Sequence, residues 1–481
     1  MMTHEQERFV KDFVGHLFAG DAGIFAGAGL SAGAGFVNWA GLLADVAEDL
    51  ELQIDRETDL ISLAQFHINA KGRNKINQKI LEEFTAEVEE TENHRILARL
   101  PIGTIWTTNY DTLIEDTIKK AGKLADVKHT VPQLANSKPK KDVTVYKMHG
   151  DVNHPNDAII TKDDYETYHV KYQPYVTALS SDLITKTFLF VGFSFTDPNL
   201  DYILSRVRMN FERNFKNHYC FIRKVKMGEK GSEEEADFKY NSRRQALMIN
   251  DLKRFHIEAI LIDEYADITA ILAEVERQYK RKTVLISGSA EEYGNYSRNE
   301  AIGFIHKLSG ELVKSSFTIV NGFGWGVGSA VINGALEIIQ KQPGKFSESQ
   351  LVMRPFPQFE TGRQKLPELW HDYRVRMTTY AGVAVFLFGN KAVDGQVVSA
   401  DGVHKEFDIA HEQGLVLLPI GATGYMARTL WEEAIADYAK YYPTAPAELR
   451  PLLEKLGDES QPLTAHIDTI KEILTLLNRP S

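Results

Sequence analysis

Cysteine is almost missing from this sequence: Cys220 is the one example in 481 residues. No disulfide can close within the chain, and no cysteine cluster can hold zinc. A reducing cytoplasmic setting is therefore expected, and no metal. Long apolar runs are missing too. No stretch approaches the roughly 18 residues that a membrane-spanning helix needs. The opening segment MMTHEQERFVKDF has no basic flank followed by an apolar core, so no signal peptide is expected. Positive charge is in deficit, with 55 Lys and Arg against 66 Asp and Glu and a formal net charge of −11. Duplex binders neutralise phosphates with cations, so this balance argues against a broad nucleic-acid footprint. It leaves room for a small basic pocket that takes a mononucleotide.

What is present is ordinary globular material. Hydrophobic residues make up 43% and charged residues 25%, enough to build a packed core rather than a disordered chain. At about 150 residues per domain, this length predicts two to four domains. Phe9, Phe13 and Leu17 recur four apart and mark one face of an opening helix. Apolar runs then read as buried strands: GTIWTTN (103–109), VTVYKM (143–148), TFLFVGFS (187–194), HYCFI (218–222) and IEAILID (257–263). Helix-like stretches separate most of them, which predicts a parallel sheet covered on both faces.

After the charged junction KRKT the alternation restarts at TVLISGS, and FTIV (317–320), LVMRPF (351–356), VAVFLFG (383–389) and LVLLPIG (415–421) follow. The expected fold class is α/β: two Rossmann-like domains, each a mainly parallel sheet flanked by helices. They divide at 1–281 and 282–481. The tail carries two amphipathic stretches, with Leu449, Leu452 and Leu456, then Ile467, Ile470 and Leu474. Packing onto the domain and oligomer contact are both open for it. The basic KPKK (138–141) and the acidic EVEETEN (87–93) and GEKGSEEEADF (228–238) read as solvated faces or loops.

The candidate sites are small-residue loops at strand ends. Gly27, Gly29 and Ser31 directly follow the short run Ile24-Phe25. Glycines there let the backbone approach a pyrophosphate, and the helix start beyond offers N–H groups and a positive dipole end. Alone, such a turn fits close packing equally well. Asp45, Glu48 and Asp49 lie where a ribose-binding acid would fall, but they also read as an exposed helix face. Two other strands end in Thr107-Thr108-Asn109-Tyr110-Asp111 and His149-Gly150-Asp151. In a parallel sheet these tips share one rim, so an amide, an imidazole and carboxylates are expected to converge over the glycine turn. A fourth strand ends in Gly192-Phe193-Ser194-Phe195-Thr196-Asp197-Pro198-Asn199.

In this order, GAGLS, TTNYD, HGD and GFSFTDPN resemble the sirtuin family of NAD-consuming enzymes. The resemblance implies a sirtuin-type Rossmann sheet over about residues 1–280, with NAD as substrate. It places the family's catalytic asparagine and histidine on Asn109 and His149. It implies that Gly27, Ala28, Gly29, Ser31, Asn38, Asp111, Gly192 and Ser194 bind NAD. Two departures matter. Protein-deacylating sirtuins continue the glycine motif with Pro-Asp-Phe-Arg, where this chain has Val37-Asn38-Trp39-Ala40. They also carry four zinc-binding cysteines. NAD hydrolysis is therefore expected over deacylation or ADP-ribosyl transfer to protein, and a non-catalytic nucleotide sensor is the other alternative. Nicotinamide leaves NAD as a neutral base, so the demand is for stabilising an oxocarbenium-like ribose. Asn109 would orient a water and His149 remove its proton, or His149 would contact a ribose hydroxyl and position the sugar.

The second half offers Gly288-Ser289, then Gly322, Gly324, Gly326 and Gly328, then Gly389-Asn390-Lys391, and last PIGATGY (419–425), all at predicted strand ends. Such loops suit a nucleotide pocket. This half resembles the SLOG group of Rossmann-like nucleotide-binding domains. A sirtuin-like domain followed by a SLOG domain resembles the effectors of the bacterial Thoeris anti-phage systems. That resemblance implies an NAD hydrolase held inactive until a cyclic ADP-ribose isomer, made by a TIR-domain partner protein, binds the second domain. It also implies a homotetramer or larger assembly. Activator contacts are expected at Gly288, Ser289, Gly322, Gly324, Arg374, Lys391 and Glu406, with Arg376 replacing Arg374 if the helix register is shifted. The PGG loop of SLOG hydrolases is altered here, so sensing is expected rather than hydrolysis.

Overall fold

The computed structural model describes residues 2–211, 215–229, 231–360 and 365–478. The chain forms two compact units, Met1–Glu276 and Arg277–Ser481. The division falls inside the helix Ala266–Arg281, slightly before the charged junction that the sequence pattern suggested.

In the first unit seven parallel strands form one sheet: β1 (Ala22–Ala26), β2 (Thr104–Thr107), β3 (Ala125–Lys128), β4 (Val143–Lys147), β5 (Thr187–Val191), β6 (His218–Arg223) and β7 (Ile257–Ile262). Their spatial order is β3-β4-β2-β1-β5-β6-β7. Central strands β1 and β5 are buried along their whole length, as an apolar run covered on two faces must be. On one side of the sheet Phe25, Trp106, Phe188 and Phe190 pack with Tyr168, Tyr175 and Leu179. Edge strand β3 was not expected. Its sequence ADVK has no apolar run, and Asp126 and Lys128 form an ion pair on it at 2.9 Å; charge on an edge strand discourages further pairing.

The order of strands positions the site. From β1 the chain goes to β2 on one side, whereas β5 to β7 build outward on the other. The reversal lies between β1 and β5. In an open parallel sheet the crevice beyond the strand ends at such a reversal is where ligands seat.

The second unit is a five-stranded parallel sheet in the order β10-β9-β8-β11-β14. Its strands are β8 (Thr283–Ser289), β9 (Thr318–Asn321), β10 (Leu351–Met353), β11 (Val383–Phe388) and β14 (Val416–Pro419). Between the last two lies an antiparallel hairpin, β12 (Asn390–Val393) and β13 (Gln396–Ser399), exposed along nearly all its length. Its solvent-facing residues carry no apolar run that would mark strands in the sequence. The tail helices Leu449–Lys455 and Ala465–Leu477 bury Leu449, Leu453, Ile467, Ile470 and Leu474 in this unit's core. Packing therefore accounts for their apolar faces. Among the described residues no helix is long and apolar enough to cross a membrane.

Candidate functional site

The turns after β1 and β5 are built against each other. Gly27 N–H donates to Val191 O at 2.9 Å, and Gly29 N–H donates to Gly192 O at 2.9 Å. A Cβ added at Gly27 would lie 2.5 Å from Gly192 O, and one at Gly29 would lie 2.8 Å from Gly192 Cα. Gly192 itself has φ +66°, a left-handed conformation that side chains other than glycine adopt at a cost. The glycines thus serve close approach of backbone to backbone. The two amides expected to face a pyrophosphate are engaged by the β5 turn.

Asn109 lies at the tip of β2, on the rim of this interlocked pair. Its Nδ2 donates to Gly27 O at 3.2 Å and to Ser31 Oγ at 3.0 Å. Its Oδ1 is buried and has no hydrogen-bond partner among the described residues. A buried acceptor left unmet is costly in a finished core, and it marks the amide as available to a ligand. Asp111 follows. Burial pushes its carboxyl above the usual range, with Lys147 and Ser31 opposing, and Leu113 N–H donates to Oδ1 at 3.0 Å.

Lys147, the last residue of β4, fixes these tips, and sequence reasoning missed it. Its ammonium is wholly buried. It donates to Tyr110 O at 3.0 Å, Asp111 O at 2.6 Å, Glu115 Oε1 at 3.0 Å and Asp151 Oδ2 at 2.5 Å. Burial alone would lower its pKa, but the two carboxylates outweigh burial and raise it. One cation therefore ties the loop after β2 to the loop after β4.

His149 stands on the neighbouring tip. Thr107 pairs with Lys147 in register, so Asn109 and His149 each lie two positions beyond a paired position on adjacent strands. His149 is 2% exposed. Burial lowers its pKa and Asp197 partly restores it, which leaves a neutral imidazole at pH 7. Its Nε2 lies 3.3 Å from Asp197 Oδ2, off the hydrogen-bond axis. The Tyr165 and Tyr168 rings meet it edge to face at 5.5 and 6.4 Å.

Beside Asn109 a small recess opens, lined by Ala28, Ser31, Phe36, Trp39, Asn109 and Asp111 among others. The structure thus brings Ala28, Ser31, Asn109 and Asp111 to one recess, while Gly27, Gly29 and Gly192 pack on one another outside its lining. His149 is on the adjacent tip. Asn38 caps the helix Trp39–Leu42, its Oδ1 accepting from Gly41 N–H at 2.9 Å. Ser194 is exposed, its hydroxyl 2.8 Å from Thr196 Oγ1. Trp39, Tyr165 and Asp197 were not singled out from sequence; the aromatic-rich FVNW and the TDPN turn were the available signals.

In the second unit the expected residues separate into two groups. Ser287 Oγ donates to Glu406 Oε2 at 2.6 Å, and Arg374 Nε donates to Oε1 at 3.4 Å. Burial pushes the Glu406 carboxyl up, with Ser287 and Arg374 opposing. The Arg374 guanidinium lies 5.0 Å above the Phe356 ring. Arg374, rather than Arg376, therefore has the register that reaches Glu406; Arg376 stacks outward on Tyr373. Lys391 sits on the exposed hairpin and pairs with Asp401. Asn390 beside it is fully buried and closes the β8 tip: its Oδ1 accepts from Glu291 and Glu292 N–H at 2.8 and 3.2 Å, and its carbonyl accepts from Ser289 Oγ at 2.9 Å. Gly288 and Gly324 touch backbone to backbone, and Gly322 lies against the Phe356 ring.

Residues 103–244 match the family model described as a SIR2-like domain, and residues 267–477 match the Sir2- and TIR-associating SLOG family. The chain is 50% identical to the NAD(+) hydrolase ThsA of Bacillus cereus over 98% of both chains. It is 49% identical to the NAD(+) hydrolase ThsA of Cytobacillus dafuensis, over 99% of this chain and 97% of that one. It is 44% identical to the ThsA of Acinetobacter baumannii, over 99% and 100%.

Proposed function

Because the chain belongs to the ThsA family of NAD(+) hydrolases, we propose that its first unit cleaves NAD to nicotinamide and ADP-ribose, and that its second unit switches this reaction on when it binds a cyclic ADP-ribose isomer. The observation that carries the first half is the unmet Asn109 Oδ1 on the rim of the recess, with a neutral buried imidazole on the adjacent strand tip.

The chemistry asks little of an acid. Nicotinamide departs as a neutral base, and positive charge gathers on the ribose. Asn109, held by Gly27 O and Ser31 Oγ, presents its amide oxygen to the attacking water. His149, already neutral, takes the proton that the water loses. Asp111, on the same rim, engages ribose hydroxyls. Phe36 and Trp39 supply the apolar wall that excludes bulk water from the recess.

For the second unit, Arg374 and Lys391 supply positive charge for the activator's pyrophosphate, and Glu406 accepts from ribose hydroxyls. The activator is the product of a TIR-domain partner, which accords with the TIR association in the description of the matched family. The chain acts in the cytoplasm as a homotetramer or larger assembly, and depletion of NAD halts phage infection. The test is to follow NAD in the purified full chain with and without cyclic ADP-ribose isomers. NAD loss that accelerates on addition supports both halves. Absence of NAD loss under every condition rejects the first, and a rate indifferent to every isomer rejects the second.

A further inference from the structure

Most of the polar groups around the His149 tip are spoken for, and one carboxylate is unexplained. Asp197 follows β5 in the turn that interlocks with Gly27 and Gly29. Its Oδ1 accepts from Leu200 N–H at 2.9 Å, which caps the helix Pro198–Phe211 and fixes the side chain. The other oxygen, Oδ2, accepts from Tyr165 O–H at 3.3 Å and lies 3.3 Å from His149 Nε2. The Asp197 side chain is only 11% exposed. A helix cap needs one oxygen; nothing in helix capping requires the second to face an imidazole.

His149 needs such a partner. Its Nε2 is buried, and no other acceptor or donor reaches it among the described residues. Edge-to-face rings from Tyr165 and Tyr168 confine the imidazole. A buried ring nitrogen without a partner is costly, and the group that one nitrogen of a histidine bonds decides which nitrogen stays basic.

We propose that Asp197 is a positioning residue for His149: its carboxylate takes the Nε2–H and leaves Nδ1 as the basic nitrogen. This rests on the reading of His149 as the base that activates water. In the step, water oxygen bonds to the ribose carbon as the carbon–nicotinamide bond breaks. The bonding pair leaves with nicotinamide, and the water proton passes to His149 Nδ1. The imidazolium so formed keeps its Nε2–H on the Asp197 anion, then releases the Nδ1 proton to solvent. The 3.3 Å contact shortens when positive charge appears on the ring, as catalytic hydrogen bonds that are long without substrate do. Asp197 follows, five residues on, the Gly192 that packs against the glycine turn.

Asp197→Asn tests this, because asparagine also caps a helix and has nearly the same shape. In the full chain, assayed with the cyclic ADP-ribose isomer that most accelerates wild-type NAD loss, kcat is expected to fall about tenfold to a hundredfold, part of the roughly 10²–10⁴ that general-base help supplies. KM for NAD and the melting temperature should stay close to wild type. The acid limb of the kcat profile should move to lower pH. The titratable groups packed against His149 are Asp197, Tyr165 and Tyr168, and removing the one anion lowers the imidazole further. Asp197→Glu, which keeps the charge, should restore the limb. An unchanged kcat and limb overturn the proposal, and so does a loss that tracks a lowered melting temperature. Nitrogen NMR of His149 in the wild-type chain gives an answer even if the variant does not fold. Protonation at Nε2 is expected; protonation at Nδ1 overturns it. That measurement is independent of turnover, so it can fail while His149→Ala still abolishes NAD loss, and the reverse.

Discussion

The two sheets keep charge in different places at their tips. In the first unit Lys147 is sealed beneath the loops after β2 and β4, with Glu115, Asp151 and the carbonyls of Tyr110 and Asp111 around it. In the second unit the charges are split. Glu406 and Arg374 pair in a sheltered position beneath the β8 tip, while Lys391 and Asp401 meet on an exposed hairpin. A buried ion network holds its loops in one arrangement, and removing one member leaves uncompensated charge. An exposed pair is worth at most about 1 kcal/mol, so an incoming phosphate can displace Asp401 from Lys391 at little cost. One unit seals its charges beneath its loops, and the other leaves an ion pair open to solvent.

The largest effect that would sharpen this contrast is catalytic. His149→Ala should lower NAD turnover by roughly 10²–10⁴ while leaving the melting temperature intact; turnover at the wild-type rate would break the assignment of chemistry to the first unit. Lys147→Met comes next. It strands Glu115 and Asp151, so the first unit should lose about 3–5 kcal/mol, read as faster hydrogen exchange in β2 and β4. Exchange in β8 and β11 should not change. If β2 and β4 stay protected, the buried cation is not what holds the tips.

Acidification should separate the units by a smaller amount. In the first unit burial drives His94 down to about 4 and His218 down to about 3, and His218 Nδ1 accepts from Phe188 N–H at 3.2 Å, which it can do only when neutral. Between those values and the unfolded value near 6.5, only the unfolded chain binds the proton. The stability from these histidines is full above about pH 6.5 and drains as pH falls toward 4, by up to about 2 kcal/mol each at pH 5. In the second unit burial likewise lowers His466; the carboxyls that burial raises, Glu406 here and Asp111 and Glu115 in the first unit, contribute with the opposite sign, and none of them lies on β5 or β6. Hydrogen exchange at pH 7.5 and 5.5 should therefore show β5 and β6 loosening more than β11. Equal loosening would remove the distinction.

The smallest effect belongs to the exposed pair. Lys391→Ala should raise the activator concentration for half-maximal rate by about tenfold, or about 1.4 kcal/mol. The fully activated rate and the melting temperature should not move. A lower activated rate at an unchanged midpoint would take Lys391 out of the sensing role.

Much of the sheet architecture is legible in the sequence, because apolar runs record burial on two faces. GTIWTTN, VTVYKM, TFLFVGFS, HYCFI and IEAILID all hold strands. Strand β3 escaped because ADVK is half charged, and the hairpin β12–β13 because its residues face solvent. The convergence of Asn109 and Ser31 was also legible, since parallel strand tips share a rim. The partners of individual groups were not. Whether Gly29 N–H meets a ligand or Gly192 O depends on how a turn some 160 residues away folds back, and no local pattern encodes that. Lys147 was hidden for a similar reason. A lysine at a strand end ordinarily reaches solvent, and only the folded chain brings Glu115 and Asp151 around it.

The interlock of Gly27 and Gly29 with Gly192 has a mechanical consequence. Where backbone lies on backbone with no room for a methyl group, the two turns cannot slide past or hinge against each other; they translate as a single rigid lip. A displacement imposed on either strand end is therefore passed to the other, and with it to the Gly27 carbonyl that holds Asn109.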